Sequence, residues 1–463
     1  MVDEKDLWLK PVPDRSKALT RTLILALDIG TSSVRAALYN DAAEPLHRAG
    51  VRIERTLTTT PDGGSEIDAD EAFDHVATAI DELMAKTASV KGEIGYVAQC
   101  AFWHSLVGVD KGGKPTTKVF GWADTRSREY SPVLRKRFDE HAIHDRTGAQ
   151  FHSSFWPAKL FWLRRERPAD FARTDRWLSF SDYVALRLFG TAATSVSMAS
   201  GPGRFDQRKC DWDAELIRFL KVRRAGLPAV CDDAQTFELN RKFAKRWPRL
   251  AKAAFFPAVG DGAADNVGSG CVTGSMAALM VGTSAAMRVA YAGDPPSPIP
   301  RGLWCYRIDR RRVIVGGALS DGGNLYALIR QLFKLPPNAD ELVAGREPRD
   351  LLVVIPFFHG ERSTGYDEDA RGAIIGLTAA DDGIDVLRAA MEGVAFRLAD
   401  IYERLATVTE VKTIVASGGA LRESPVWTQI IADVLGRDLT LSDARESSSS
   451  GAVLLALESI GKM

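Results

Sequence analysis

Asp28 stands near the end of an apolar run, LILALDIG, and is followed by Gly30-Thr31-Ser32-Ser33 and then Arg35. Burying a lone carboxylate is costly, so such a strand end calls for a cation. A glycine turn flanked by hydroxyls offers N–H and O–H donors to a phosphate. A carboxylate beside phosphates repels them unless Mg²⁺, which favours carboxylate, water and phosphate oxygens, lies between. Two readings stand for Asp28, a magnesium-linked acid at a phosphate site or a cap of the turn. Arg35 either reaches the same phosphates or is a solvated strand residue. The pattern recurs in ALMVGTSAAMRV with Gly282-Thr283-Ser284, and a third apolar run ends in Ser417-Gly418-Gly419. One G-T-S turn is common hairpin chemistry. Its recurrence in opposite halves points to phosphates gripped from both sides of a cleft.

A second acid group sits in VGDGAADNVGSG, which carries Asp261 and Asp265. Phosphoryl transfer to an alcohol needs a carboxylate that orients the hydroxyl and accepts its proton. Asp261, between Gly260 and Gly262, is the better candidate because its backbone can approach a substrate. Asp265, followed by Asn266, reads as a helix cap. GVDKGGK (Gly108 to Lys114) imitates a Walker loop, but Pro115 follows where Ser or Thr must hold magnesium. No G-x-G-x-x-G opens a βαβ unit and no H-E-x-x-H is present.

The elements that must position these groups alternate. LILALDIG and VRAALYN read as strands around a tight turn. DADEAFDHVATAIDELMAK has helical periodicity with acids early. EIGYVAQCAF reads as a strand, and PAKLFWLRRE and FSDYVALRLFG as helices. The basic NRKFAKRWPRLAKAA reads as a crossing between halves, which divides the chain into a loose segment 1–20, a first domain 21–250 and a second domain 251–463. The fold class expected is α/β in both halves. The 463 residues carry 60 basic and 60 acidic side chains, so no global field recruits nucleic acid or an anionic membrane. Five scattered cysteines without C-x-x-C spacing fit reduced thiols. The charged, proline-bearing start is no secretion signal, and no apolar stretch approaches the ~20 residues of a membrane span. The expectation is a cytoplasmic protein acting on a small molecule, with a homodimer allowed.

Taken together, these segments resemble the FGGY carbohydrate kinases, on the actin/Hsp70-like (ribonuclease H-like) scaffold of two domains with a cleft between them. The resemblance runs from about Leu23 to the end. ALDIGTSSVRA is similar to the family's first phosphate loop, VGDGAADNVG to its general-base loop, and LMVGTSAAMRV to its second phosphate segment. FHGERSTGYDEDARGAIIGLT, residues 358–378, resembles its long signature, and ASGGALRESPVWTQIIADVLGRDL its adenosine segment. The resemblance implies ATP and Mg²⁺ as cofactors, with Asp28 acting through the metal. It places Gly30, Thr31, Ser32 and Arg35 at the phosphates, Gly282 and Thr283 opposite them, and Gly418 and Gly419 against the adenosine. Asp261 matches the catalytic base and touches the substrate. Trp103 and His104 stand where family members contact the sugar, and Trp122, Asp124 and Arg126 in GWADTRS resemble the next sugar-site strand. Gly203-Arg204-Phe205-Asp206 departs from the usual Gly-Leu-Phe-Asp, and Thr364-Gly365 stands where Pro is common.

The sugar lobe looks most like that of gluconate kinases, with xylulose or another ketopentose second. His104 bonds a sugar hydroxyl or is a satisfied core histidine, and Trp103, Trp122 and Trp156 stack on sugar faces or belong to the core. An acid substrate wants a cation, and Arg126, Lys159 and Arg204 are the candidates, although Lys159 also reads as the partner of a neighbouring acid. The rival class is a nucleotide-binding sensor that transfers nothing, or a chaperone-like ATPase with an added peptide-binding region.

Overall fold

The structure, a computed structural model, describes residues 22–442 and 446–463. The expected loose segment 1–20 lies outside them. Strand β1 (Thr22–Ile29) is buried from Leu23 to Ile29. A run of that kind belongs to the middle of a sheet covered on both faces. It pairs antiparallel with β2 (Ser33–Tyr39), which pairs antiparallel with β3 (Pro45–Glu54). Helix α1 (Ala69–Lys86) opens on Asp68, whose side chain accepts from the Asp70 and Glu71 amides. It buries Ala69, Ala72, Phe73, Val76 and Ile80 on one stripe of helical spacing. On its other edge β1 pairs parallel with β4 (Glu93–Ala101), and β4 in turn pairs parallel with β5 (Ala254–Phe255) and β6 (Val259–Gly260).

These last pairings carry the first sheet past the boundary placed near residue 250. The basic segment is no crossing. Helix Arg241–Arg246 and its sequel lie on α1, where Trp247 Nε1 donates to Asp81 at 2.7 Å and Phe243 meets Phe73 at 5.6 Å between ring centres. Two of its cations are spent locally, Arg246 on Asp81 and Arg249 on the Thr87 carbonyl. Between β4 and β5 a lobe of short strands and helices builds its own aromatic core around Trp156, Phe161, Trp177 and Trp212.

The sheet ends in α2 (Asp261–Gly268), and a second sheet repeats the plan. Its strands are β7 (Met276–Val281), β8 (Ala285–Ala292), β9 (Trp304–Arg307), β10 (Arg312–Leu319), β11 (Thr413–Ser417) and β12 (Leu439–Leu441). They lie in the order β9-β10-β8-β7-β11-β12. β7 meets β8 antiparallel and β11 parallel, as β1 meets β2 and β4. Helix α3 (Gly383–Leu405) opens with a capping box on Asp382 and packs its buried face into the second core.

The last helix, α4 (Ser447–Ser459), returns to the first sheet. Ala452, Val453, Ala456 and Leu457 pack with Ile24, Ala26, Ala98 and Cys100. It crosses α2 with the backbones in close approach, because a side chain on Gly451 would strike the Ala264 carbonyl and one on Gly268 the Ser447 carbonyl. Asp265 does not cap this helix. It lies within α2, takes a hydrogen bond from Arg288 Nη2 of β8 at 2.8 Å, and accepts from the Ser447 hydroxyl. One half-buried carboxylate thus ties the α2–α4 crossing to the second sheet. Replacing Gly451 by Leu is expected to lower stability by about 1–3 kcal/mol through overpacking of this crossing. Urea unfolding measures it, and an unchanged midpoint would show that the helices part without cost.

Candidate active site

In open α/β sheets ligands gather at the carboxyl ends of parallel strands. Here Asp28 of β1 lies level with Cys100 of β4, which lies level with Val259 of β6. With neighbouring strands ~4.8 Å apart, the Asp28 backbone and the β6 end that carries Asp261 are roughly 10 Å apart on one edge. Arg35 faces Asp28 across the β1–β2 ladder, with Nη1 3.5 Å from the carboxylate and 3.2 Å from Glu446. That is the cation the apolar run called for. Burial still outweighs it and pushes the Asp28 carboxyl above its ordinary range.

The turn after β1 is held from behind. The Gly30 amide donates to the Ser33 carbonyl at 2.9 Å, and the Arg55 amide to the Ser32 carbonyl at 3.0 Å. Arg55 also donates from its guanidinium to the Gly30 carbonyl, and lies 5.3 Å from the rings of Phe102 and Phe180. Ser32 is exposed and Thr31 half-buried, so both hydroxyls remain at the surface of the cleft. Sequence reasoning missed Arg55, a lone arginine after a strand with no motif around it.

The matching turn closes through the Gly282 amide on the Ser284 carbonyl at 2.9 Å. Two glycine loops nest against it. The Gly323 and Asn324 amides donate to the Gly282 and Thr283 carbonyls at 2.8 and 3.0 Å. Gly418, at φ +102°, lies so close to the Val281 carbonyl that a side chain would collide, whereas Gly419 faces open space. Gly282, Thr283, Gly418 and Gly419 therefore form one surface, joined by Ser320-Asp321-Gly322-Gly323-Asn324. The glycine pair in that segment was the signal that would have found it.

Asp261 begins α2, and its Oδ1 accepts from the Gly262 amide at 2.8 Å. The Trp103 ring fills the space beside Gly260 and Gly262, where side chains would strike it, and its Nε1 donates to the Ser197 carbonyl at 2.9 Å. His104, at φ +67°, has its ring 5.1 Å from Phe155 and 5.6 Å from Tyr306. Its Nδ1 is buried without a hydrogen-bond partner among the described residues. Burial and then Arg362 and Lys159 hold its pKa down to about 3, so His104 is neutral at working pH.

Asp124 is not brought to this group as a free acid. It is 1% exposed and takes hydrogen bonds from the Ser65 amide and from Arg126, which also pairs with Glu66. Lys159 makes no ion pair among the described residues: its ammonium donates to the Asp124 and Ser153 carbonyls, with the Asp124 and Glu368 carboxylates in electrostatic reach. Arg204 is buried between the rings of Trp156 and Trp212, at 3.6 and 4.4 Å, within the lobe core. Trp156 is buried beside it and donates to the Ser105 carbonyl. Trp122 is half-buried and carries the Arg362 guanidinium at 4.3 Å.

Residues 23–268 match the FGGY family of carbohydrate kinases, N-terminal domain, and residues 277–459 its C-terminal domain. The chain belongs to the FGGY family of carbohydrate kinases. It is 26% identical over 458 residues to the gluconokinase of Bacillus subtilis (strain 168), covering 95% of this chain and 88% of that one. It is 27% identical over 443 residues to the xylulose kinase of Klebsiella pneumoniae, covering 93% and 88%. A crystal structure of gluconate kinase from Lactobacillus acidophilus superposes with TM-score 0.87 at 26% identity, over 95% of this chain and 90% of that one. The ligand-bound xylulose kinase of the same organism superposes with TM-score 0.86, also at 26% identity and over 95% and 90%. The protein is therefore a carbohydrate kinase on the two-domain actin/Hsp70-like scaffold, with ATP as the family's phosphate donor. Among the described residues no helix is long and apolar enough to cross a membrane.

The FGGY kinase's Asp261 carboxyl is pushed up to about 6, first by burial and then by Asp28 and Asp265, against the Gly262 amide and Arg288. A folded-state pKa above the unfolded value makes ionisation oppose folding. That penalty is absent near pH 4, grows as pH rises to about 6, and is complete above it. Asp261→Asn is expected to gain on the order of 1 kcal/mol or more in stability at pH 8 and to converge with the parent at pH 4. Thermal unfolding at the two pH values checks the sign.

Proposed function

We propose that this kinase transfers the γ-phosphoryl group of ATP to a hydroxyl of gluconate, with xylulose or another ketopentose as the second reading. What carries the reading is the placement of Asp261 and Asp28 on one sheet edge beside the Gly30 turn, with a matching Gly282 turn in the second half. Two further cations beside His104, Lys159 and Arg362, pair with no carboxylate among the described residues. A buried wall of that sign suits an acid substrate, which favours gluconate. The similar identity of the chain to gluconate and xylulose kinases keeps the ketopentose in play.

In this reading Asp261 accepts the proton of the attacking hydroxyl, held at the mouth of α2 by the Gly262 amide. Trp103 keeps the Asp261 loop in place from beneath, and His104, neutral, offers a ring nitrogen to a sugar hydroxyl. Gly30, Thr31, Ser32 and Arg35 take the phosphates from the first half. Gly282 and Thr283 take them from the second, and Gly418 and Gly419 lie along the adenosine. Asp28 fits Mg²⁺ by chemistry, as a hard oxygen donor beside a phosphate turn. The described residues hold no cluster of three metal-ligating side chains. That suits an ion held by one carboxylate, water and phosphate oxygens. When bound, magnesium supplies charge neutralisation at the phosphates. Closure of the two halves excludes water from the terminal phosphate.

Asp261→Asn is expected to lower kcat on gluconate by about 10²–10⁴-fold while ATP still binds. The kcat/KM of the parent enzyme is expected to fall below about pH 6, where the Asp261 carboxyl takes up a proton. A coupled ADP assay across gluconate, pentuloses, glycerol and deoxy-ketoses ranks the substrates. ADP formation indifferent to every one of them would instead support the sensor, and full activity in the Asn protein would remove Asp261 from the role of base. Saturating gluconate with a nonhydrolysable ATP analogue is expected to reduce the radius of gyration in solution scattering.

A further inference from the structure

The segment between β10 and α3 leaves the second half and crosses to the first. Its near end is fixed by Glu361, which accepts from Arg397 of α3 at 2.5 Å and from the Gly365 and Asp367 amides at 3.1 and 3.2 Å. Its far end docks on the sugar lobe. Glu368 accepts from the Ser131 hydroxyl at 2.6 Å and from the Ser153 amide and hydroxyl at 2.6 and 2.7 Å. Tyr366 packs between them, 5.6 Å from His152 and 6.2 Å from Phe155.

Between these anchors lies Arg362. Its Nη2 donates to the Leu319 carbonyl at 2.8 Å and its guanidinium rests on Trp122. Its Nε is buried with no hydrogen-bond partner among the described residues. Other arginines of the site are differently placed. Arg126 is held by Asp124 and Glu66, Arg288 by Asp265, and Arg35 by Asp28 and Glu446. Arg55 lies behind the first turn and Arg204 in the aromatic core. Among these arginines Arg362 alone combines the lack of a carboxylate ion pair with electrostatic reach to Tyr306, His104 and Asp261. A desolvated guanidinium without a counter-ion is costly, and an arriving carboxylate removes that cost with a charge-assisted bond.

Building on the gluconate reading above, we propose that Arg362 reads the carboxylate of a sugar-acid substrate, carried to the sugar by the 359–371 strap and stacked in place by Trp122. The two ends of the substrate are then held by different halves. Asp261, at the edge of the first sheet, takes the hydroxyl end, and Arg362, from the second half, takes the acid end. An acidic substrate pulls the halves together through its own length, and a neutral polyol lacks that link.

The test is the binding preference for gluconate over glucitol, its counterpart with a hydroxymethyl group in place of the carboxylate. Calorimetry without nucleotide reads it in the full chain, for the parent, Arg362→Gln and Arg362→Lys. Gln keeps a donor for the Leu319 carbonyl and a flat face on Trp122 but removes the charge. Lys keeps the charge without the fork, so it serves if the Gln protein fails to fold. The parent is expected to prefer gluconate on the order of 100-fold. Arg362→Gln is expected to lose that preference, and Lys to recover part of it. A parent that binds gluconate no better than glucitol overturns the acid-substrate reading and this inference together. A parent that prefers gluconate while folded Arg362→Gln keeps the same ratio overturns this inference alone, and leaves Arg362 as a fastener of the strap.

Discussion

The register of three strands governs the first half of this kinase. β1, β4 and β6 run parallel and finish level, so whatever follows their last residues is delivered to one edge. After β1 comes the Gly30 turn, after β4 the Phe102-Trp103-His104 corner, and after β6 Asp261 at the start of α2. Because the backbones are locked by ladder hydrogen bonds, the spacing between Asp28 and Asp261 is a property of the sheet and not of the loops. A slip of one residue in β1 would turn Asp28 to the opposite face and bring a neighbouring aliphatic in its place. The buried aliphatic residues on both faces of β1 oppose that slip, since each fills a core position.

Holding acids on such an edge has a cost that the structure meets locally. Asp28 has Arg35 across the ladder, and Asp265 has Arg288 from the other sheet. Asp261 has no ion pair among the described residues, only the Gly262 amide and the more distant charge of Arg288, and burial pushes its carboxyl to about 6. A group with that pKa is a better proton acceptor than an ordinary aspartate at neutral pH. The same arrangement explains the glycines around it. Gly260 and Gly262 leave room for the Trp103 ring, which supports the loop without supplying a countercharge that would pull the carboxyl back down.

Much of this was legible in the sequence where the signal is local. A carboxylate in an apolar run, glycines on either side of an acid, capped amphipathic helices and the two G-T-S turns all lie within a few residues of their cause. The α/β architecture followed from them. What the sequence did not reveal depends on partners far along the chain. Asp265 reads as a cap because Arg288 and Ser447, 23 and 182 residues away, are invisible in a local window. Asp124 reads as a sugar contact until Ser65, 59 residues back, takes one of its oxygens. NRKFAKRW reads as a solvated crossing because Asp81 is 166 residues from Trp247. Arg362 was lost inside a recognisable signature, where its meaning lies in Trp122 and Leu319 and not in its neighbours.

The two halves vary one plan. Both carry an antiparallel pair joined by a G-T-S turn, followed by a strand parallel to the first. In the first half that following strand leads into Phe102-Trp103-His104, bulky residues packed against Phe180, Phe155 and Tyr306. In the second it ends in Ser417-Gly418-Gly419, where the backbone alone lies against Val281 and leaves open space at Gly419. In the reading proposed above, the walled end suits a small polyol and the open end an extended nucleotide. The acid is divided in the same way. Asp28 precedes the first turn, whereas Met280 holds the corresponding place before the second. In the reading proposed above, a carboxylate at both turns would set two negative groups against the same phosphates. In that reading the second turn meets the phosphates without adding a second carboxylate to repel them.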